Sequence, residues 1–294
     1  MRKTNRNNVA VHMMGGLGNQ LFQFAVGLAV SRRANCGLRL IVGDERDRRF
    51  ELDLLARSVG ARVQHRRGRA ASSWHRMVGY FPRSIPGVVR ERGFRFDERV
   101  LAARPPVELV GYFQSWRYVE SVAAEVRMAI GAIEPRSPAF RRLQSEIGSE
   151  PFIAVHARRG DYVGLERFHG LVSEGYLVEA HRRLVGVAER CLLFTDDPTW
   201  APSAELGAQL RIVRPADLPD PFETLLLMSR ARGLAIANSS FSWWAAWLGD
   251  APGRPVIAPS PWFTAPHLDT RDLLPPHWHV LDRSTGRSAA PGVG

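Results

Sequence analysis

Lysine is nearly missing from this chain. Lys3 is the only one among 40 basic residues, so arginine carries almost all of the net charge of +11. A phosphate-binding P-loop needs Gly-Lys-Ser/Thr and is thereby excluded. Cysteine is scarce as well: Cys36 and Cys191 sit in apolar surroundings with no CxxC or Cys/His spacing. That argues against a zinc site or a disulfide framework and fits a reducing compartment. Long apolar runs are also lacking. The richest early stretch, residues 21–30, spans ten residues and contains Gln23. It is too short to cross a bilayer and begins too late for a signal peptide. The expectation is a cytoplasmic protein, with peripheral attachment to the inner face of a membrane left open.

What is present is ordinary globular material. The chain has 294 residues, of which 45% are apolar, enough for one large domain or two of roughly 150 residues. Its positive charge suits nucleic acid, an anionic membrane surface or an anionic small molecule. Nucleic acid is disfavoured because the aromatic residues are not interleaved with arginine in a stripe.

The chain opens with an apolar strand, residues 9–14, that runs into Gly15-Gly16-Leu17-Gly18. Asn19 then caps a helix whose apolar positions Leu21, Phe22, Ala25, Leu28 and Ala29 fall at helical spacing. A dinucleotide fingerprint would need a third glycine where Leu21 stands. What remains is either a tight turn or a loop that brings backbone amides close to a ligand. Residues 38–42 read as a second strand, and residues 44–106 as variable loops and short helices. A strand at 107–110 enters Gly111-Tyr112-Phe113-Gln114-Ser115, and Ser115 caps one helix carrying Tyr118, Val119, Val122, Val126 and Ile130. Residues 131–150, with Pro135 and Pro138, form the passage to a second half.

That half alternates. Strands at 152–156, 191–195, 210–213, 233–237 and 255–258 are separated by helices at 174–185, 198–207, 222–230 and 241–248. Such repetition means a parallel sheet covered by helices on both faces. The expected fold class is α/β, with two Rossmann-like domains, 1–148 and 149–294, facing a cleft.

Three strand tips carry the candidate chemistry. The first is His156-Ala157-Arg158-Arg159-Gly160-Asp161. In an open α/β sheet, ligands bind where the carboxyl ends of the strands splay apart. If the strand stays extended, His156 and Arg158 share one face and Arg159 takes the other. A guanidinium there suits a phosphate ester or diphosphate; a solvated loop with an Arg159–Asp161 ion pair is the plainer alternative. The second tip ends in Asp196-Asp197-Pro198, where helix capping is favoured over a metal site. The third ends in Asn238-Ser239-Ser240 before a helix with Trp243, Trp244 and Trp247. Its serines and free amides suit a phosphate, and its tryptophans suit packing.

Taken together, these segments resemble the bacterial α-1,2-fucosyltransferases, glycosyltransferase family eleven. The resemblance rests on Gly15 to Gln23, Gly111 to Ser115, His156 to Tyr162 and Asn238 to Trp244, in that order and spacing. Lesser pieces are His169-Gly170, Phe194 to Asp197, Leu227-Met228-Ser229 and Ile257-Ala258-Pro259. It implies a two-domain B-type glycosyltransferase that uses GDP-L-fucose as co-substrate, without a metal or other cofactor. His156, Arg158, Arg159, Asn238, Ser239 and Ser240 would bind the donor in the C-terminal domain. Gly16, Gly18 and Asn19 would face it from the acceptor-side N-terminal domain. The chain departs from the family pattern at Thr224, where an acid often stands, so guanine recognition would shift to Glu223. Ala231 and Gly233 replace a frequent Cys and His, and Ala245 replaces a glycine.

The implied reaction moves fucose with inversion to O2 of a terminal galactose, on a lipid-linked precursor of O-antigen or capsule. Arg158 is the first candidate for stabilising the leaving diphosphate, with His156 in support. Glu166 resembles a catalytic glutamate of related core α-1,6-fucosyltransferases, and Asp161 and His169 are further candidate bases. Other linkages, or a non-catalytic GDP-sugar- or glycan-binding protein on the same fold, remain the alternatives.

Overall fold

The structure is a computed structural model that describes residues 7–43, 49–66, 86–160, 170–206 and 210–288. The chain divides into two compact units, Met1–Glu134 and Pro135–Gly294. Each holds one sheet in which all paired strands are parallel, and the α/β class expected from the sequence is what is seen.

The first unit contains β1 (Asn8–Met13), α1 (Leu17–Arg33), β2 (Gly37–Val42), α2 (Asp53–Ser58), β3 (Arg62–His65), β4 (Val88–Arg90), α3 (Glu98–Leu101), β5 (Val107–Val110), α4 (Trp116–Glu120) and α5 (Ala123–Gly131). Its strand order is β3-β2-β1-β5-β4. β1 lies at the centre and is buried from Val9 to Met13, the continuous burial of a strand covered on both faces. α1 is apolar nearly all round and buries residues on every side. It begins at Leu17, with Gly16 as its cap, so Asn19 lies inside the helix rather than at its start.

Two further expectations are corrected here. Residues 44–106 were expected to give only loops and short helices, yet they supply both edge strands, β3 and β4. Both are short and partly exposed, so neither shows the apolar run by which the inner strands announce themselves. The single helix expected after Ser115 is two. At Val122 the backbone turns to φ −124° and ψ 15°, and each piece buries its own apolar residues.

The second unit contains α6 (Pro138–Ile147), β6 (Phe152–Ala157), α7 (Glu174–Leu184), β7 (Arg190–Thr195), β8 (Leu210–Val213), α8 (Pro221–Ser229), β9 (Gly233–Ala235), α9 (Ser240–Leu248), β10 (Val256–Ser260) and β11 (His279–Asp282). The sheet order is β11-β10-β9-β6-β7-β8. Counted from β6, that is the order 3-2-1-4-5-6 of a doubly wound dinucleotide-type sheet. One face of β6 and β7 buries Ile153, Val155, Ala157 and Leu193 against Tyr176, Leu177, Ala180 and Leu184 of α7. The buried Tyr176 hydroxyl donates to the carbonyl of Ile236 at 2.7 Å. Burial raises its pKa well above the usual phenol range.

α6 belongs to this second unit, which places the division ahead of the helix rather than at 148. Glu223 supplies a reason. Its carboxylate, buried on α8, accepts the backbone N–H of Arg136 and of Ser137 at 2.8 Å each, and the Ser137 hydroxyl as well. Ser137 in turn caps α6. The helix expected over 198–207 is also absent among the described residues, where only a 3₁₀ turn at Ala204–Leu206 is present. Asp197 still behaves as a cap. Its Oδ1 accepts from the amides of Thr199 and Trp200 and from the Thr199 hydroxyl, and these bonds hold its pKa below the ordinary carboxylate range.

Arg254 joins two helix ends. It donates to the carbonyls of Ala231 (2.7 Å), Ala246 (2.8 Å) and Ser229 (3.4 Å), just where α8 and α9 terminate and a cation is favoured. Burial lowers its pKa to about 10, with Asp250 opposing. Arg254→Ala should cost about 3 kcal/mol of stability, because the carbonyls lose a charged donor in a half-buried place. Urea unfolding measures this, and a loss below about 1 kcal/mol would show that water replaces the guanidinium freely.

Candidate functional site

The candidate residues of the second unit gather where its strand order reverses, between β6 and β9. Crossovers on the two sides of such a point leave toward opposite faces, so the strand tips there open into a crevice. β6 brings His156 and the Arg158-Arg159-Gly160 turn. β9 brings Asn238, Ser239 and the start of α9. The two tips meet through the His156 ring, whose centroid lies 5.9 Å from that of Phe241 in the first turn of α9.

Arg158 is oriented by the first of the two adjacent acids at the second strand tip, where the capping reading rested on Asp197 and Pro198. Asp196, at the tip of β7, receives Arg158 Nε on Oδ2 at 3.0 Å. On Oδ1 it accepts the backbone N–H of Arg159 at 2.7 Å and of Gly160 at 2.9 Å. One carboxylate thus sets both the turn and the guanidinium plane. The adjacent-acid pattern therefore splits its duties: Asp197 caps the next turn and Asp196 clamps the arginine turn. The sequence signal was there, an acid at the tip of a neighbouring strand, but pairing across strands becomes visible only in the sheet register.

β6 ends at Ala157, so strict alternation does not extend through Arg158 as expected. The two arginines nevertheless part. Arg159 stacks its guanidinium over Trp200, 4.7 Å from the ring centroid, away from the Arg158–Asp196 pair. Its expected partner Asp161, along with Glu166 and His169, lies outside the described residues.

His156 is 3% exposed. Burial lowers its pKa, Asp196 opposes that shift and Arg158 adds to it, so the ring is neutral at neutral pH. The unfolded chain takes up a proton more readily. The stability this ring contributes is therefore complete above its ordinary pKa of 6.5 and is lost as pH falls toward about 4.

Asn238 acts as a brace. Its Nδ2 donates to the carbonyls of Gly170 (3.1 Å) and Trp262 (3.0 Å), holding the turn that leads to Ser239. Ser239 caps α9 by position only, since its hydroxyl makes no capping bond. α9 also has no acidic residue in its first turn. Among the described helices only α1 shares both traits; α2 and α5 lack a capping side chain but carry Asp53 and Glu125 there. An uncapped, acid-free helix start leaves amides and a partial positive charge for an anion, worth about 0.3–1 kcal/mol when exposed and up to about 2 kcal/mol when partly buried. The tryptophans pack. Trp243 and Trp244 are fully buried, and Trp243 and Trp247 stack with centroids 6.2 Å apart.

The first unit repeats this arrangement at its own reversal, between β1 and β5. Gly15 has φ +74°, and a Cβ there would fall 2.5 Å from Asn19 Nδ2. Gly16 has open space around its Cα, while Gly18 is buried within α1. Amide side chains tie this edge together. Gln23 accepts from the Met14 amide, Gln20 donates to the carbonyls of Gly15 and Arg49, and Gln114 donates to Asn19 Oδ1 at 2.7 Å. Among the described residues no group of three or more His, Cys, Asp or Glu side chains is placed to hold a metal ion.

A family model described as Glycosyl transferase family 11 matches residues 97–282. The chain belongs to that family. The family 11 match takes in the Gly111–Ser115 loop, the arginine turn and the start of α9, and begins beyond the glycine loop. An alpha-1,2-colitosyltransferase of Escherichia coli is 29% identical over 288 residues, covering 94% of this chain and 99% of that protein. The O-antigen biosynthesis glycosyltransferase WbnK, also of Escherichia coli, is 25% identical over 286 residues, covering 85% and 93%. Among solved structures, the ADP-heptose lps heptosyltransferase II of E. coli is similar at a TM-score of 0.47 and 12% identity, covering 93% of this chain and 90% of that one.

For a family 11 glycosyltransferase, the Asp196 clamp has a testable consequence. Asp196→Ala should lower stability by about 2 kcal/mol and sugar transfer by about a hundred-fold, with Asp196→Asn in between. Arg158→Ala should abolish transfer in a folded protein, whereas Arg159→Ala should lose only the stacking, about 1 kcal/mol. Transfer at the normal rate by Asp196→Ala would show that Arg158 needs no such support. Separately, stability should fall more steeply from pH 7 to pH 5 in the natural protein than in His156→Gln, as read from urea midpoints. Equal falls would dissociate the ring from the acid response.

Proposed function

We propose that this protein transfers a 6-deoxy-L-sugar from its GDP-activated form to O2 of a terminal galactose, with inversion at the anomeric carbon. L-Fucose is the first donor considered. The observation that carries the reading is the juxtaposition, at the β6/β9 reversal, of the β6 tip that bears Arg158 with a helix start that has no side-chain capping bond and no early acid, the two tips touching through His156 and Phe241. As the anomeric C–O bond breaks, positive charge grows on the sugar and negative charge on the departing diphosphate. Preorganised donors aimed at that charge are typically worth about 3–4 kcal/mol each. In this reading Arg158 and the positive end of α9 receive the diphosphate, while the Ser239 N–H is held by the Ala237 carbonyl at 2.7 Å. Neutral His156 packs against Phe241 in the first turn of α9, and no metal takes part.

The acceptor hydroxyl attacks from the face opposite the leaving group, and its proton passes to a base. Glu166 and Asp161 are the candidates for that base. Glu223 is left out of guanine recognition because both of its oxygens are already engaged by residues 136–137. Gly16 and Asn19 are assigned to the ligand-facing edge of the first unit. The acceptor is taken to be a galactose-terminated glycan of the lipid-linked kind used in O-antigen or capsule synthesis, a reading supported by the similarity to an O-antigen glycosyltransferase. Among the described residues, no helix is long and apolar enough to cross a membrane.

A second donor has a specific observation behind it. The similarity to an alpha-1,2-colitosyltransferase favours testing colitose, which lacks the 3-hydroxyl of fucose. A site that hydrogen-bonds that hydroxyl discriminates strongly against the sugar without it, whereas an apolar site discriminates weakly.

GDP-L-fucose and GDP-colitose should each be offered with a panel of galactose-terminated oligosaccharides, and products read by mass and NMR. The expected product is an α-linked sugar on O2, formed equally well in EDTA. A β-anomeric product would exclude inversion, and attachment at O3, O4 or O6 would exclude the linkage. Activity lost in EDTA and restored by Mn²⁺ or Mg²⁺ would exclude the metal-free mechanism, and no transfer from either donor would remove the reading altogether.

A further inference from the structure

Glu91 follows β4 directly, at the carboxyl edge of the first sheet, and points its carboxylate into the loop that leaves β5. Oε2 accepts the Tyr112 N–H at 2.7 Å, and the Glu91 N–H donates to the Val110 carbonyl at 3.0 Å. Oε1 is buried with no hydrogen-bond partner among the described residues. The loop is shaped around this carboxylate. A Cβ on Gly111 would collide with the Glu91 side chain, so only glycine fits there. Phe113 adopts φ +54°, a left-handed conformation that costs a non-glycine residue energy and persists only when its surroundings enforce it. The enforcement is visible: the Phe113 ring is fully buried and meets Tyr118 edge-on with centroids 5.9 Å apart. Next in the chain, Gln114 donates to Asn19 in the first turn of α1. A continuous path therefore runs from Glu91 through the loop backbone to the glycine-loop helix.

We infer that Glu91 is a positioning residue for the transfer reaction, holding the Gly111–Ser115 loop and, through Gln114, Asn19 in their working arrangement. This rests on the proposed function of the protein as a sugar transferase. The placement is specific, because the loop needs an acceptor opposite the Tyr112 amide and a side chain filling the space above Gly111. Alanine keeps the Cβ above Gly111 but supplies no acceptor. Glutamine supplies both but cannot ionise.

Ionisation gives a readout that a purely structural role would not move. Burial raises the Glu91 pKa to about 7, while the amides of Phe113, Tyr112 and Gln114 pull it down. Arg90, Arg92 and Tyr112 are the ionisable side chains adjacent to this carboxylate and its loop in the chain. Above that pH the carboxylate is charged and binds the loop amides more strongly. Below it the group is protonated and its hold weakens.

The test compares the natural protein with Glu91→Gln and Glu91→Ala, each rate corrected for folded fraction by near-ultraviolet circular dichroism. Transfer by the natural protein should fall as pH drops from 8 to 6, and Glu91→Gln should lack that component of the fall. At pH 8, Glu91→Ala should lose about ten-fold or more in kcat/KM, with Glu91→Gln recovering much of the loss. Superimposable pH profiles for the natural protein and Glu91→Gln would overturn the inference. So would a kcat and KM for folded Glu91→Ala equal to those of the natural protein. If Glu91→Ala does not fold, the glutamine profile decides alone. Failure of the natural protein to transfer from either donor would instead count against the transferase reading, so the two failures are distinguishable.

Discussion

A parallel sheet whose strand order reverses beside its central strand forces neighbouring crossovers apart, and the rest of this structure is built on that constraint. In the second unit the reversal lies between β6 and β9, and in the first between β1 and β5. At both places a loop rich in small or polar residues follows a buried strand, and a helix without a capping side chain or an early acid begins. The sheet supplies the opening, the loop supplies close backbone approach, and the helix supplies a weak positive end.

The two edges are stiffened in different ways. In the second unit the work falls to charge: Asp196 fastens the arginine turn through two amides and a guanidinium. In the first it falls mainly to neutral amides, with Gln20, Gln23 and Gln114 lacing successive strand tips. Under the proposed function the difference matches what each edge would hold. A diphosphate calls for a fixed cation, and a fixed cation needs a fixed partner carboxylate. A sugar hydroxyl calls for neutral donors and acceptors whose directions are already set.

Two charged side chains away from these edges are satisfied mainly by backbone. Arg254 serves three carbonyls at the ends of α8 and α9, and Glu223 serves the amides that lead into α6. In a chain with one lysine, arginine takes on such bridging, and its planar fork suits it to several carbonyls at once.

The sequence by itself determined the class of fold and most of its inner strands, because β1, β6 and β7 are continuous apolar runs that cannot be solvated. It also marked the strand tips, since His156, Arg158, Asn238 and Ser239 each interrupt such a run abruptly. Only the tertiary structure decided the edge strands β3, β4 and β11, which are short and half-exposed and owe their form to the neighbour they pair with. Only it decided the role of Asp196, because which acid meets which arginine depends on the register of β6 against β7. The same holds for Glu91, separated by some twenty positions from the loop it shapes (Glu91 to Tyr112). Local pattern sets where a chain is buried, and pairing between distant segments sets what a buried polar group touches.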